Sequence, residues 1–221
     1  MTKVFIDADY LPHRFTWNRT KEEGRVDTRD HLDSILAELW ADELVLILAG
    51  KDNFRKVIYP DYKANRPAME QEKKDLFAEY KEWLMGEYEF EIADGQEADD
   101  LCAIRVMAHD DAVLVSPDKD MMTVPCKIFN PQKWILHDVS EDEADYNLHL
   151  QIIQGDRSDN IIGVPGYGPV KAKKALGDKP LGKRLSRVKA VYRANALSKE
   201  YLQLQTDLIY IRQSEEDRYI V

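Results

Sequence analysis

The residues best suited to chemistry in this chain are carboxylates placed at strand ends and helix starts. Asp7 closes the apolar run Val4–Ile6, and Asp118 and Asp120 follow the run Ala112–Val115. In an open α/β sheet the carboxyl ends of the strands form the ligand crevice, so acids far apart in sequence converge there. Glu97, Asp99 and Asp100 open a helical segment. On a helix Glu97 and Asp100 share a face at i, i+3, while Asp99 is turned toward a different ion or a supporting role behind the ligands. Asp156 and Asp159, again three apart, begin a glycine-rich loop. Gathered at neutral pH these acids would repel one another unless cations were bound among them. Oxygen-only ligation, with no His or Cys at ligand spacing, suits Mg²⁺ or Mn²⁺. Two such ions ~4 Å apart can activate a water and stabilise the leaving oxygen of an in-line attack on a phosphodiester, which is nuclease chemistry. Taken singly, each acid has a plainer reading, because Asp and Glu at helix starts cap N–H groups and favour the macrodipole. The joint pattern of strand-end acids with two further pairs favours the metal.

Basic segments accompany the acids. Phe54-Arg55-Lys56 and Tyr59 to Arg66 lie in the loop after the second strand, on the crevice side. Lys63 and Arg66 could meet a scissile phosphate, Arg55 adds positive charge for DNA, and Tyr62 could stack on a base near an unpaired end. A solvated loop with one buried tyrosine is the competing reading. The stretch Gly155 to Ala172 reads as helix, glycine hairpin, helix. Glycines such as Gly163, Gly166 and Gly168 allow close backbone approach, and free N–H groups at the start of the following helix can hold a phosphate. Lys171, Lys173 and Lys174 supply further charge.

The elements that must position these groups are an alternation of strands and helices. Val4–Ile6 and Leu44–Ala49 read as central strands covered on both faces. Between them Leu32, Ile35, Leu36, Leu39 and Trp40 repeat at helical spacing after Thr28, a candidate N-cap. A charged helix is expected from Pro67 to Met85 with Gly86 as its stop, then a strand over Tyr88–Ile92, a helix from Glu97 to Ala108 and a strand over Ala112–Val115. From Glu143 onward the pattern is helical. The division expected is a catalytic domain over 1–142 and a helical module over 143–221.

The composition is that of a globular chain: 44% hydrophobic residues, 10% aromatic, and a net charge of -10. No apolar run approaches the ~20 residues that span a bilayer, and Met1 to Asp7 leads into a strand in place of a signal peptide, so a cytoplasmic location is expected. Cys102 and Cys126 support neither a disulfide framework nor a zinc site, and Cys102 is expected to be buried. Met121 and Met122 read as core, and His13, His31, His137 and His149 show no ligand spacing. The acidic balance taken alone opposes nucleic acid, since phosphate binding is driven by Lys and Arg. That objection weakens if the acids concentrate around bound cations and the basic residues collect elsewhere.

The motifs Phe5-Ile6-Asp7, Tyr62-Lys63-Ala64-Asn65-Arg66, Glu97-Ala98-Asp99-Asp100, Ser116-Pro117-Asp118-Lys119-Asp120 and Gly155-Asp156 through Gly168, in that order, resemble the 5' nucleases: flap endonucleases, the exonuclease domain of bacterial DNA polymerase I and short phage exonucleases. The resemblance implies a PIN-like, mostly parallel sheet with flanking helices, a helical arch near 63–90 and a C-terminal helix-hairpin-helix module that grips duplex DNA. It implies Mg²⁺ on Asp7, Glu97, Asp99, Asp100, Asp118, Asp120, Asp156 and Asp159, with Lys63 and Arg66 steering the scissile phosphate, Arg14 assisting near the metal and K⁺ on the hairpin carbonyls. The substrate implied is DNA with a 5' flap or 5' end, extending to RNA primers in RNA-DNA hybrids, acted on by a monomer. One departure stands out: the family usually places an Asp shortly after the second strand, where this chain has Ala49-Gly50-Lys51 and then Asp52. Either Asp52 substitutes from a shifted loop, or one ion is held more weakly. A PIN-type ribonuclease and a DNA-binding relative with weakened catalysis are the competing functions.

Overall fold

The computed structural model describes residues 2–221; Met1, where the segment expected to enter the first strand begins, lies outside them. In chain order the elements are β1 (Thr2–Asp7), α1 (Tyr10–Phe15), α2 (Lys21–Leu39), β2 (Ala41–Ala49), α3 (Phe54–Ile58), α4 (Gln71–Glu87), β3 (Phe90–Ala93), α5 (Ala98–Met107) and β4 (Ala112–Val115). There follow β5 (Lys127–Asn130), β6 (Ile135–Asp138), α6 (Glu141–Gln154), α7 (Pro169–Leu176), α8 (Arg184–Ala194) and α9 (Lys199–Ile209). They form two compact units. The first takes the chain up to Asp52, then Ala68–Met121 and Cys126–Asp138; the second takes Asn53–Pro67, Met122–Pro125 and Val139–Val221.

The first unit is built on a six-stranded sheet in the order β3-β2-β1-β4-β5-β6. All neighbours pair in parallel except β5 and β6. Val4, Ile6, Leu46, Val113 and Val115 are buried and lie in one core with Leu32 and Ile35 of α2 and Tyr80 and Leu84 of α4. Central parallel strands must be apolar on both sides because helices cover both faces, which is why these runs lack the alternation of an exposed sheet.

Three expectations about helix ends change. The N-cap of α2 is Thr20, in a reciprocal capping box with Glu23, and not Thr28. Thr28 is fully buried inside the helix, where its hydroxyl donates to the Gly24 carbonyl and bonds the Tyr80 hydroxyl. Trp40 leaves the buried stripe: it caps α2 in the left-handed region and is 89% exposed. The helix expected from Pro67 begins at Gln71 and runs through Gly86 to Glu87, because a helix docked by Tyr80 and Leu84 tolerates one glycine in its last turn.

The second unit packs α3, α6, α7, α8 and α9 around Leu148, Ile152, Ile153, Val164, Tyr192 and Leu202. Residues 53–67 belong here for a physical reason. Arg55 is 2% exposed, and its guanidinium donates from Nε to the Leu208 carbonyl (2.9 Å) and from Nη2 to that of Tyr210 (2.7 Å). Among the described residues no helix is long and apolar enough to cross a membrane.

Candidate active site

In the first unit the sheet order reverses between β1 and β4, the switch point at which the loops on either side diverge and leave a crevice. Asp7 ends β1 opposite Ile47 of β2, and Ile6 lies opposite Val115 of β4, so the acid after β1 and the loop after β4 come together there. Asp7 is 8% exposed. Fully buried Ser116 donates its hydroxyl to Asp7 Oδ2 (3.0 Å) and accepts the Asp118 backbone N–H (3.1 Å). Asp118 Oδ1 in turn accepts the Asp120 N–H (2.8 Å). One serine therefore holds the carboxylate of one strand end and the backbone of the next.

Burial, and then the charge of Asp9, raises the Asp7 pKa from 3.8 to about 7; hydrogen bonds from Ser116 and the Asp9 N–H oppose the rise, and Asp118 adds to it. Cys102, buried as expected, has its thiol pushed well up by burial and by Asp7, Asp99 and Asp9, which places Asp99 in the same negative field. Asp9, which no motif singles out, thus belongs to the group, and the Asp7/Asp9 spacing is the signal that could have found it. Ser116 has no signal in the sequence beyond its place in a motif.

Glu97 and Asp100 are brought together as a reciprocal capping box at the start of α5 and not as two residues within the helix. Glu97 is the N-cap of α5, with extended backbone, and its N–H donates to Asp100 Oδ2 (3.1 Å). Asp100, fully buried, therefore does the capping work that the plainer reading allowed. Among the described residues no three His, Cys, Asp or Glu side chains form a finished metal site. The donor chemistry nevertheless fits a hard divalent cation: the groups are oxygens, and Asp7 is a buried carboxylate whose charged form is disfavoured by burial and its acidic neighbours, the condition a cation relieves.

The second unit carries the remaining residues. The Asp159 carboxylate accepts from the Tyr62 hydroxyl (3.1 Å), pairs with Lys63 (3.6 Å) and pairs with Arg66. Asn65 donates to the Arg157 carbonyl and Asn160 to that of Asp61, so the Tyr62–Arg66 turn is knitted onto the Asp156–Asn160 loop. Asp156 Oδ1 accepts the Ser158 N–H (2.7 Å). Tyr62 is 3% exposed and cannot stack on a base as expected; it matches the buried tyrosine of the competing reading. Arg55, spent on the Leu208 and Tyr210 carbonyls, is structural and does not face DNA. Gly163 is likewise committed: it is buried, its N–H donates to Gln205 Oε1 (2.7 Å) and its carbonyl accepts from Tyr201. Gly166, Lys171, Lys173 and Lys174 are exposed and Gly168 half-buried, with Lys173 and Lys174 in the last turn of α7. In the first unit Arg14 is exposed at the end of α1, beside the Phe15 ring. Asp52 is exposed beyond β2.

Comparison with known proteins agrees with the resemblance read from the motifs. Residues 12–146 match the family model described as the 5'-3' exonuclease, N-terminal resolvase-like domain. The flap endonuclease of Escherichia phage T5 is 29% identical over 193 residues, 75% of this chain and 66% of that protein. The flap endonuclease Xni of Vibrio parahaemolyticus is 28% identical over 199 residues, 79% of this chain and 71% of that protein. DNA polymerase I of Treponema pallidum is 33% identical over 143 residues, 56% of this chain but only 14% of the polymerase. The chain thus spans 66% or less of the length of several curated relatives it matches. A crystal structure of the T5 flap endonuclease with DNA and metal ions superposes with a TM-score of 0.72 at 22% identity, covering 95% of this chain and 89% of that one. The T5 5'-exonuclease with bound zinc gives 0.70 at 22% identity over the same shares. These likenesses establish a resolvase-like α/β fold.

Proposed function

As the chain belongs to the 5'-3' exonuclease family, matched over its N-terminal resolvase-like domain, we propose that it hydrolyses DNA phosphodiesters as a 5'→3' exonuclease and flap endonuclease dependent on Mg²⁺ or Mn²⁺. The observation that carries this reading is the buried Asp7 carboxylate, tied through Ser116 to the Asp118 loop at the switch point of the sheet. The T5 relatives solved with divalent ions and with DNA support a divalent metal and a DNA substrate, and the oxygen-only donor set is the ground for Mg²⁺ or Mn²⁺.

Asp7, Asp118 and Asp120, with Asp99, Glu97 and Asp100 at the start of α5, would hold the cations in the first unit; Asp156 and Asp159 are proposed ligands in the second. Cations bound there would supply an activated water and charge stabilisation for the leaving oxygen. The chain's own residues hold that arrangement before substrate arrives: Ser116 fixes Asp7, and Asp118 fixes the backbone of Asp120. Lys63 and Arg66, parked on Asp159, are proposed to exchange that carboxylate for a substrate phosphate, and in the first unit Arg14 is proposed to assist near the metal-binding acids. The α6–α7 segment is proposed as a helix-hairpin-helix duplex grip through Gly166, Gly168 and the exposed lysines, with K⁺ on carbonyls of its loop. The stretch 63–90, whose helix α4 is anchored by Tyr80 and Leu84, is proposed as the arch, and RNA-DNA hybrids as further substrates of a monomeric enzyme.

A 5'-labelled flap substrate incubated with Mg²⁺, with and without chelator, tests the reading. Chelator-sensitive release of the flap is expected. Chelator-insensitive cleavage, cleavage of RNA alone, or binding without cleavage would each overturn it.

A further inference from the structure

The 5' nuclease pattern calls for a carboxylate just after the second strand, and this chain has Gly50 there. The end of β2 shows why a side chain at that position is excluded. The Gly50 N–H donates to the Ala93 carbonyl at the end of β3 (3.1 Å). A Cβ at residue 50 would collide with the Ala93 carbonyl oxygen and with Asp94 Oδ1, and would stand 2.9 Å from the Ala93 carbonyl carbon. Two of the three obstructions are backbone of the neighbouring strand, which cannot turn aside as a flexible side chain can. Gly50 is therefore not a simple loss of an acid; the space an Asp would use is filled by β3.

A carboxylate does reach this strand end, from another element. Asp9 Oδ1 accepts the backbone N–H of Ala49, the last residue of β2 (3.1 Å), although the two are far apart in sequence. The Asp9 N–H donates to Asp7 Oδ1 (3.2 Å). One acid is thus tied both to the end of β2 and to the buried acid that ends β1, and it is exposed at the surface where Asp7 is not. The bond to Ala49 fixes the Asp9 carboxylate at the end of β2, beside the acid that ends β1. Asp52, the substitute suggested by sequence, lies on the exposed chain beyond Gly50 and Lys51.

We propose that Asp9 supplies, from the loop after β1, the metal-facing carboxylate that the family pattern places after β2, and that Asp52 does not. The inference rests on the metal-dependent function proposed above, so its test reads metal binding without substrate. Mn²⁺ bound to the full-length chain is measured by electron paramagnetic resonance for the wild type, Asp9→Asn, Asp52→Asn and Asp118→Asn, with circular dichroism to check folding. Asn keeps an acceptor oxygen for Ala49 and removes only the charge. Asp9→Asn is expected to weaken Mn²⁺ binding ~10–100-fold or to remove one ion, the range seen when a supporting or ligating group is lost, while Asp52→Asn follows the wild type. Wild-type binding in Asp9→Asn together with weakened binding in Asp118→Asn overturns the role of Asp9 and leaves the metal-dependent function standing. Weakened binding in Asp52→Asn with none in Asp9→Asn transfers the role to Asp52. No Mn²⁺ bound by the wild type overturns both readings. If Asp9→Asn fails to fold, Asp9→Ser, smaller and neutral, is read in the same way. Adding Gly50→Asp to Asp9→Asn is expected not to restore binding, and restoration would refute the steric half of the proposal.

Discussion

At the scale of single residues, the site depends on how a buried carboxylate is held. Ser116 is the only side chain whose hydroxyl both donates to Asp7 and accepts from the Asp118 loop among the described residues. Replacing it with Ala leaves Asp7 without that donor and loosens the loop that carries Asp118. Asp118→Ala removes a proposed ligand outright and is expected to lower flap cleavage at least ~100-fold while leaving flap binding near the wild-type value, because the grip proposed above is made by basic groups elsewhere. Gel-shift and single-turnover cleavage on one substrate check both halves, and cleavage at the wild-type rate would remove Asp118 from the site. His31 permits a second prediction at this scale. It is 9% exposed and hydrogen-bonded to the Tyr10 hydroxyl (3.0 Å), and burial followed by the charge of Arg14 lowers its pKa from 6.5 to about 4. A histidine kept neutral in the fold binds fewer protons than in the unfolded chain between these values, so stability rises with pH there. Its contribution is complete above about pH 6.5 and is lost as pH falls toward 4. Asp7, whose pKa is raised from 3.8 to about 7 in the fold, acts in the opposite sense across the same window, so the reading is a difference: as pH falls from 6.5 toward 4 the wild type should lose stability relative to His31→Gln, and parallel thermal-melt profiles for the two would remove His31 from the effect.

At the scale of elements, long periodic segments were legible in the sequence and short ones were not. β1, β2, β4, α5 and α6 fall near where their apolar runs and acidic starts put them, since covered parallel strands leave continuous apolar runs. β5 and β6 went unread: each is four residues long, and β6 is largely exposed, so neither an apolar run nor a clean alternation marks it. Helix ends failed where tertiary contacts overrule local signals, as at Thr28, which looks like a cap and is bonded to Tyr80. Of the candidate site, the approach of Asp7 to the Asp118 loop was legible, because neighbouring strand ends dictate it. The site was not legible where a long-range bond sets the role: Asp9 to Ala49, Tyr62 to Asp159, Arg55 to the α9 carbonyls. The hairpin glycines show the same division. Gly163 has φ 61°, and a Cβ there would stand 2.7 Å from the Ile153 carbonyl oxygen and 2.8 Å from the Gln154 carbonyl carbon, whereas Gly166 has φ 77° with open space around it. Gly163→Ala should therefore cost more than the ~1–2 kcal/mol of a left-handed alanine, and Gly166→Ala about that amount. Urea denaturation of both variants checks the order, and equal losses would show that the crowding at Gly163 is relieved by small backbone shifts.

At the scale of the whole molecule, a net charge of -10 must be reconciled with the DNA substrate proposed. The conflict is eased by distribution. In the second unit Lys171, Lys173 and Lys174 stand exposed on α7, while Ala172 and Leu176 of the same helix face the core. A helix arranged in this way presents its charge to solvent as a consequence of its packing, and each lysine that meets a phosphate releases counterions on binding. Alanine at all three positions leaves the core packing intact, so the fold should persist while duplex affinity falls. The log-log salt dependence of binding should then flatten by up to ~0.9 for each duplex phosphate that is no longer neutralised. Ca²⁺, a larger oxygen-seeking ion, replaces Mg²⁺ during the titration to occupy the acids that would otherwise repel the duplex, and recovery of the intact strand checks that the substrate is uncut. Fluorescence anisotropy across a salt series, for the wild type and the triple variant on the same flap duplex, measures both slopes. A lower affinity with a flatter slope assigns these lysines to the phosphate-binding surface, and an unchanged slope removes α7 from it.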